Sequence, residues 1–341
     1  MLELDNRTPF PAALVPGTNQ EGTDTLTVVA KGTFAIGPGI ETPPVADEQV
    51  PLVWADEFRG EPDASSILYE ADTAPFKPAT DIVVIASAHP ERGRRAYSVD
   101  VALRVADLSR TIRVYGDRRW YRSQGFWRMS DPEPFRSMPL TFERAYGGWD
   151  RSDPDPAKHD REARNPVGTG FVASSRSPHA EDLPLPNLEE PDRPIRDLGD
   201  RPAPVGTGFI GRSWAPRVTL AGTYDDTWLQ ERAPLLPEDF DERFFNGAHP
   251  AWIAPGFLQG GEPVYLGHLH PEGDLGFYLP RHRIQVSWCQ RDEWSSARAM
   301  LDTVILEPPE GRLSLTWRAR IPCPRQLLFM DRVKVEEEVV T

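Results

Sequence analysis

Asp81-Ile-Val-Val-Ile-Ala-Ser-Ala88 and, one turn later, Tyr97-Ser-Val-Asp-Val-Ala-Leu-Arg-Val105 decide the fold. The first is a continuous apolar run, short enough for a buried strand. The second alternates. Tyr97, Val99, Val101, Leu103 and Val105 fall on one face and Ser98, Asp100, Ala102 and Arg104 on the other, the pattern of a half-buried antiparallel strand. His89 to Arg94 makes the turn between them, and Thr111-Ile-Arg-Val-Tyr115 repeats the alternation. Upstream, Leu26 to Ile36 is rich in β-branched residues and closes on Gly37-Pro38-Gly39. Downstream, strands are expected at Pro263–His268, Gly276–Leu279, Arg283–Trp288, Met300–Leu306 and Arg312–Arg318, with Val333 to Thr341 as an edge strand or frayed end. Proline accounts for 36 of the 341 residues, which argues against long helices and for loops and edge positions. The expected fold is mainly β: two antiparallel, sandwich-like units with short helices and long Pro-rich loops. The units span residues 1–145 and 205–341. Residues 146–204, dense in proline and aspartate, form an ordered irregular connecting segment, not a packed domain of its own.

The best helical stretch is Ala221 to Asn246, AGTYDDTWLQERAPLLPEDFDERFFN. Asp225 or Asp226 is placed to cap a helix over Thr227–Arg232, and Pro237, Glu238 and Asp239 suit the first turn of a second one, stopped by Asn246-Gly247. Trp, Tyr and Arg dominate protein interfaces. Trp214, Arg217, Tyr224, Asp225, Trp228, Arg232, Asp239, Phe240 and Asp241 are therefore the candidate partner-binding residues; the same cluster also suits a core. Asp225, Asp239 and Asp241 also suggest paired carboxylates of the kind glycosidases use. That makes a carbohydrate-acting enzyme or sugar-binding β-sandwich the alternative from another class. A serine in a Gly-x-Ser-x-Gly setting, an activated cysteine, a phosphate loop and a dinucleotide loop are all missing from the sequence, so no catalytic residue is expected.

A net charge of −14 repels phosphate backbones, so nucleic acid is not an expected partner, and the basic-aromatic Gly116 to Trp120 reads as a strand end. Cys289 and Cys323 are too few for a disulfide framework. His249, His268, His270 and His282 include one pair two apart, but no familiar metal spacing completes it; no metal or cofactor is expected. MLELDNRTPF has neither a basic nor an apolar leader region and no run approaches a membrane span, so the expected compartment is the cytoplasm.

Two echoes stand out. Pro-Val-Gly-Thr-Gly-Phe occurs at Pro166–Phe171 and again at Pro204–Phe209, and His-Pro-Glu occurs at His89 and His270. They suggest related β units facing one another. One ordered series of motifs is more specific. It runs Trp54-Ala-Asp-Glu57, Lys77-Pro-Ala-Thr-Asp81, Tyr115-Gly-Asp-Arg-Arg-Trp120, Met138 to Gly148, Arg164 to Gly170, Leu185 to Pro191, Trp214-Ala-Pro-Arg217, Ala221 to Asp225, Leu236 to Asp241 and Gly260-Gly-Glu262. It resembles the DUF2169 family of proteins encoded with bacterial type VI secretion systems, over nearly the whole chain. His249-Pro-Ala-Trp252 departs from the more proline-rich stretch expected there. The resemblance implies an adaptor or chaperone that helps load a secreted effector protein onto the spike of VgrG and a PAAR-domain tip. It carries no catalytic residues with it.

Overall fold

The Asp81 run is a strand whose four residues are all buried, and the sheet it joins explains why. The computed structural model describes residues 2–91, 94–174, 180–323 and 330–338. Its principal strands are β1 (Glu3–Asn6), β2 (Ala12–Thr18), β3 (Asp24–Ala35), β4 (Asp81–Val84), β5 (Ser98–Val105), β6 (Leu108–Tyr115), β7 (Leu188–Glu189), β8 (Pro263–Gly267), β9 (Leu275–Tyr278), β10 (Ile284–Gln290), β11 (Glu293–Arg298), β12 (Met300–Glu307), β13 (Arg312–Pro322) and β14 (Met330–Glu337). One five-stranded sheet has the order β2-β3-β13-β12-β4, a second β7-β6-β5-β8-β9, and a four-stranded sheet runs β1-β14-β10-β11. The fold is mainly β, as expected from the sequence.

The alternating strand behaves as its pattern requires. Val101, Leu103 and Val105 are buried, while Tyr97 lies outside the core at 62% exposure. These side chains meet Ile82, Val84, Phe34, Leu313 and Leu315 in one apolar cluster that joins all three large sheets. Removing that much apolar surface from water is the dominant favourable term for the fold.

Strand β3 is buried from Thr25 to Phe34 although four of those ten residues are polar. Its outer face is covered by the proline-punctuated stretch 46–80. Gln49 takes the Thr33 amide on its side-chain oxygen at 2.8 Å, Thr27 Oγ1 donates to Pro75 O at 2.9 Å, and Lys31 Nζ sits 3.0 Å from Asp72 Oδ2. Buried polar groups tolerate that position only when paired in this way.

The expected division at residues 145 and 205 is not a division between sheets. β3 pairs with β13 from Thr25 against Pro322 to Ala35 against Arg312. β4 pairs parallel with β12, Asp81 against Thr303, and β5 pairs with β8, Val105 against Val264. Strands from both ends of the chain therefore interleave in both five-stranded sheets. The connecting segment contributes apolar side chains of its own. Tyr146, Phe171, Leu185, Ile195 and Leu198 pack with Trp120 into a small core of their own, beside the hairpin of Trp120–Ser123 and Phe126–Met129. Its prolines break up regular structure but do not prevent apolar side chains from clustering. The tail strand β14 lies inside its sheet, between β1 and β10, because β1 supplies the pairing that would otherwise leave it an edge. Pro178, residues 92 and 93 of the expected turn and the last three residues of the tail lie outside the described residues.

Candidate functional site

Motif residues that look unrelated along the chain gather at two places. The first is a buried array of charge. Lys77 Nζ lies 2.7 Å from Asp81 Oδ2 and 3.4 Å from Glu70 Oε2, and donates to Thr303 Oγ1 at 3.2 Å. Arg217 Nη2 lies 2.5 Å from Glu70 Oε1, while its Nη1 and Nε donate to Ile210 O and Phe244 O. Asp81 also accepts from Gly247 N and Asn246 Nδ2. Arg318 Nη1 meets Asp302 Oδ2 at 2.7 Å, and Lys31 meets Asp72. Lys31, Lys77, Arg217 and Arg318 thus face Glu70, Asp72, Asp81 and Asp302, four charges of each sign, every one buried.

Balance is what makes such an array tolerable in a poorly polarisable interior. Burial works to raise the Glu70 carboxyl, but Lys77 and Arg217 outweigh it and hold Glu70 below the usual carboxylate range. Burial likewise opposes the Lys77 charge, and Asp81 and Glu70 overcome it. At Asp302 burial wins and raises the carboxyl. The array ties β3, β4, β12 and β13 to the segment carrying Arg217 and Asn246. A clamp between layers is the work this geometry does.

The second place is a cavity of about 550 Å³. Arg118, Glu143, Arg144, Thr169, Leu185 and Asn187 are among its lining, drawn from four of the motif segments. Arg118 stacks over Tyr115, 3.9 Å from the ring centroid, pairs with Glu189 and donates to Pro186 O. Arg144 bridges Asp117 and Asn187 Oδ1, and Asn187 returns a bond to Tyr115 O. Gly116 sits where no side chain fits: a Cβ there would lie 1.7 Å from Glu133 O, so the glycine lets the opposite wall close in. Sequence reasoning did not single out this cavity, because its walls are up to seventy residues apart. The one signal available was the dense Gly-Asp-Arg-Arg run.

The two Gly-rich hexapeptides serve one turn, Phe142–Arg144. Gly206 lies under the Phe142 ring, where a Cβ would approach to 2.2 Å. Gly168 leaves room for Asn165, whose Nδ2 donates to Phe142 O and Tyr146 O. Thr169 Oγ1 donates to Glu143 O and Thr207 Oγ1 to Val84 O. The His-Pro-Glu triplets also meet: His89 N donates to His268 O, and His268 Nδ1 lies 3.0 Å from His89 O.

The nine candidate partner-binding residues separate by burial. Trp214, Arg217 and Phe240 are buried, the first T-stacked on Phe142 and the second in the charge array, so they hold structure rather than face a partner. Asp225 accepts the Trp228 amide as the cap of helix α1 (Asp226–Glu231). Asp239 accepts from Thr223 N and Oγ1, and Asp241 accepts from Arg243 N and pairs with its guanidinium. Those bonds, from Thr223 and from Arg243, hold Asp239 and Asp241 below the usual carboxylate range. Neither has the raised proton affinity of a general acid. The second helix starts later than expected, as a 3-10 turn over Glu242–Phe245 capped by Asp241. Trp228 Nε1 donates to Leu235 O, and Arg232 reaches Leu236 O and Gln20 O. These bonds brace the segment against the tip of the β2–β3 hairpin. Tyr224 and Leu229 stay exposed, at 54% and 63%.

Among the described residues no helix is long and apolar enough to cross a membrane. The molecule is a mainly β protein with a buried ionic clamp and a polar cavity. Over residues 21–318 it matches the family described as "Uncharacterized protein conserved in bacteria (DUF2169)", and it belongs to that family. No curated protein and no solved structure matches it significantly.

Proposed function

We propose that this protein is a type VI secretion accessory protein, a cytoplasmic adaptor or chaperone. In this reading it binds an effector, or its PAAR or VgrG carrier, for loading onto the spike, and it binds rather than catalyses. The observation that carries the reading is the exposed pair of Tyr224, just before α1, and Leu229 on α1. Tyr224 packs edge-on against Trp228 at 4.7 Å, and the patch is held rigid by the Asp225 cap and by Arg232 bonded to the hairpin. A rigid aromatic anchor loses little freedom on binding. Around it Asp225, Asp226, Glu231, Glu238 and Asp239 are exposed, an acidic rim suited to a partner with a basic surface. The test is co-purification from native cells of tagged wild type beside a Tyr224→Ala, Leu229→Asp variant, which leaves the buried contacts intact. Capture of an effector or spike protein by wild type and its loss from the folded variant supports the proposal. Equal capture by both moves the interface elsewhere. Absence of any such partner, with secretion unchanged by deletion, overturns it.

A further inference from the structure

One end of the charge array opens into a second, smaller cavity of about 260 Å³ between β12, β13 and the strand end at Arg298. Its charged lining is one-sided: Lys77, Arg298, Arg318 and Arg320 against Asp302 alone. This stands out in a chain of net charge −14. Lys77 has its three donors engaged inside the array. Arg318 does not. Its Nη1 and Nη2 are bonded to Asp302 and to Asp72 O, but its Nε is buried without an acceptor, in a side chain only 3% exposed. That unpaired N–H adds to the positive potential beside the cavity. At the rim, Arg298 leans on Glu338 at 3.0 Å and Arg320 on Glu242 at 2.5 Å, both pairs partly exposed, so both guanidinium groups can exchange those carboxylates for another. Arg320 also lies 4.4 Å over the Phe76 ring, which with Met300 makes the remaining wall apolar.

We infer that this cavity binds a carboxylate carried on a small apolar body, with Arg298 and Arg320 forking its oxygens and Phe76 and Met300 taking the apolar part. The Asp302 charge disfavours a doubly charged phosphate more than a singly charged carboxylate, and planar guanidinium groups match carboxylate geometry. The carboxylate belongs either to a free organic acid or to the C-terminus of another protein, whose capture is a known recognition mode. The inference stands independently of the adaptor proposal.

Calorimetric titration of the full chain tests it. The probes are hexanoate against hexanamide, and a short peptide ending in phenylalanine with a free against an amidated terminus. The acid forms are expected to bind and the amides not. Arg298→Gln and Arg320→Gln, at exposed positions that spare the fold, are expected to weaken binding about tenfold or more each, as loss of a charged hydrogen bond does. Arg243→Gln, whose one ion pair among the described residues is with Asp241, is expected to leave binding unchanged. Binding of hexanoate alone identifies a small acid, and binding of the peptide acid alone a protein terminus. No binding of either acid at millimolar concentration, equal binding of the amides, or acid binding that survives both rim substitutions overturns the inference.

Discussion

Arg217→Met is the sharpest probe of the clamp. The guanidinium makes a 2.5 Å ion pair with Glu70 and donates to two backbone carbonyls, Ile210 O and Phe244 O, at 97% side-chain burial. Removing one partner of a buried pair costs about 3–5 kcal/mol, and each orphaned buried carbonyl adds up to about 1–3. These terms overlap, so the expected loss is at least about 4 kcal/mol. Glu70→Gln keeps the shape and removes the charge. In the double variant both charges vanish together, while Lys77 keeps Asp81 at 2.7 Å. The double variant is therefore expected to cost less than the sum of the singles by about 1 kcal/mol or more. Urea unfolding followed by tryptophan fluorescence measures all three, with ten tryptophans reporting. A loss below about 1 kcal/mol for Arg217→Met, or strict additivity, would refute the assignment of the array as a clamp.

Further outcomes follow from other sites. Gly116→Ala drives a methyl onto Glu133 O and is expected to lower the unfolding midpoint clearly, whereas Gly125→Ala, with open space around it, meets no such clash and strains only its positive-φ backbone; thermal melts compare them. Burial pushes His249 down to about 4 from 6.5. The unfolded chain therefore takes up that proton first. Stability is lost as pH falls from about 6.5 toward 4, by at most about 3 kcal/mol, and His249→Asn should flatten that part of the pH profile. Phe142→Ala removes the ring over Gly206 and the T-stack on Trp214, and is expected to cost about 3–5 kcal/mol in the same urea assay.

Much of the sheet framework was legible in one dimension because period-two alternation is a local signal. Val101, Leu103 and Val105 could be assigned to the core from their spacing, and Asp225 could be read as a cap from its place before Thr227-Trp-Leu. Tyr97 broke the pattern because it precedes the strand. What could not be read was pairing across the chain. Nothing local marks Lys31 and Lys77 as buried; only the arrival of Asp72, Glu70 and Asp81 explains their burial. Trp214 and Arg217 had the residue types of an interface and turned out to hold the interior. The cavity wall at Arg118 and Asn187 was invisible for the same reason: the contacts that build it join segments with no shared local pattern.

The interleaving of the sheets sets the order in which this chain can mature on the ribosome. β3, a largely buried strand twelve residues long, leaves the exit tunnel early, yet the neighbour that covers its inner edge, β13, is among the last strands made. β4 likewise waits for β12, more than two hundred residues later. Non-local strand pairing of this kind is slow and leaves sticky edges exposed meanwhile. A nascent chain halted before residue 300 would thus carry β3 with one edge open and β4 unpaired, and recruit holdase chaperones, while one released after residue 322 could complete that sheet at once.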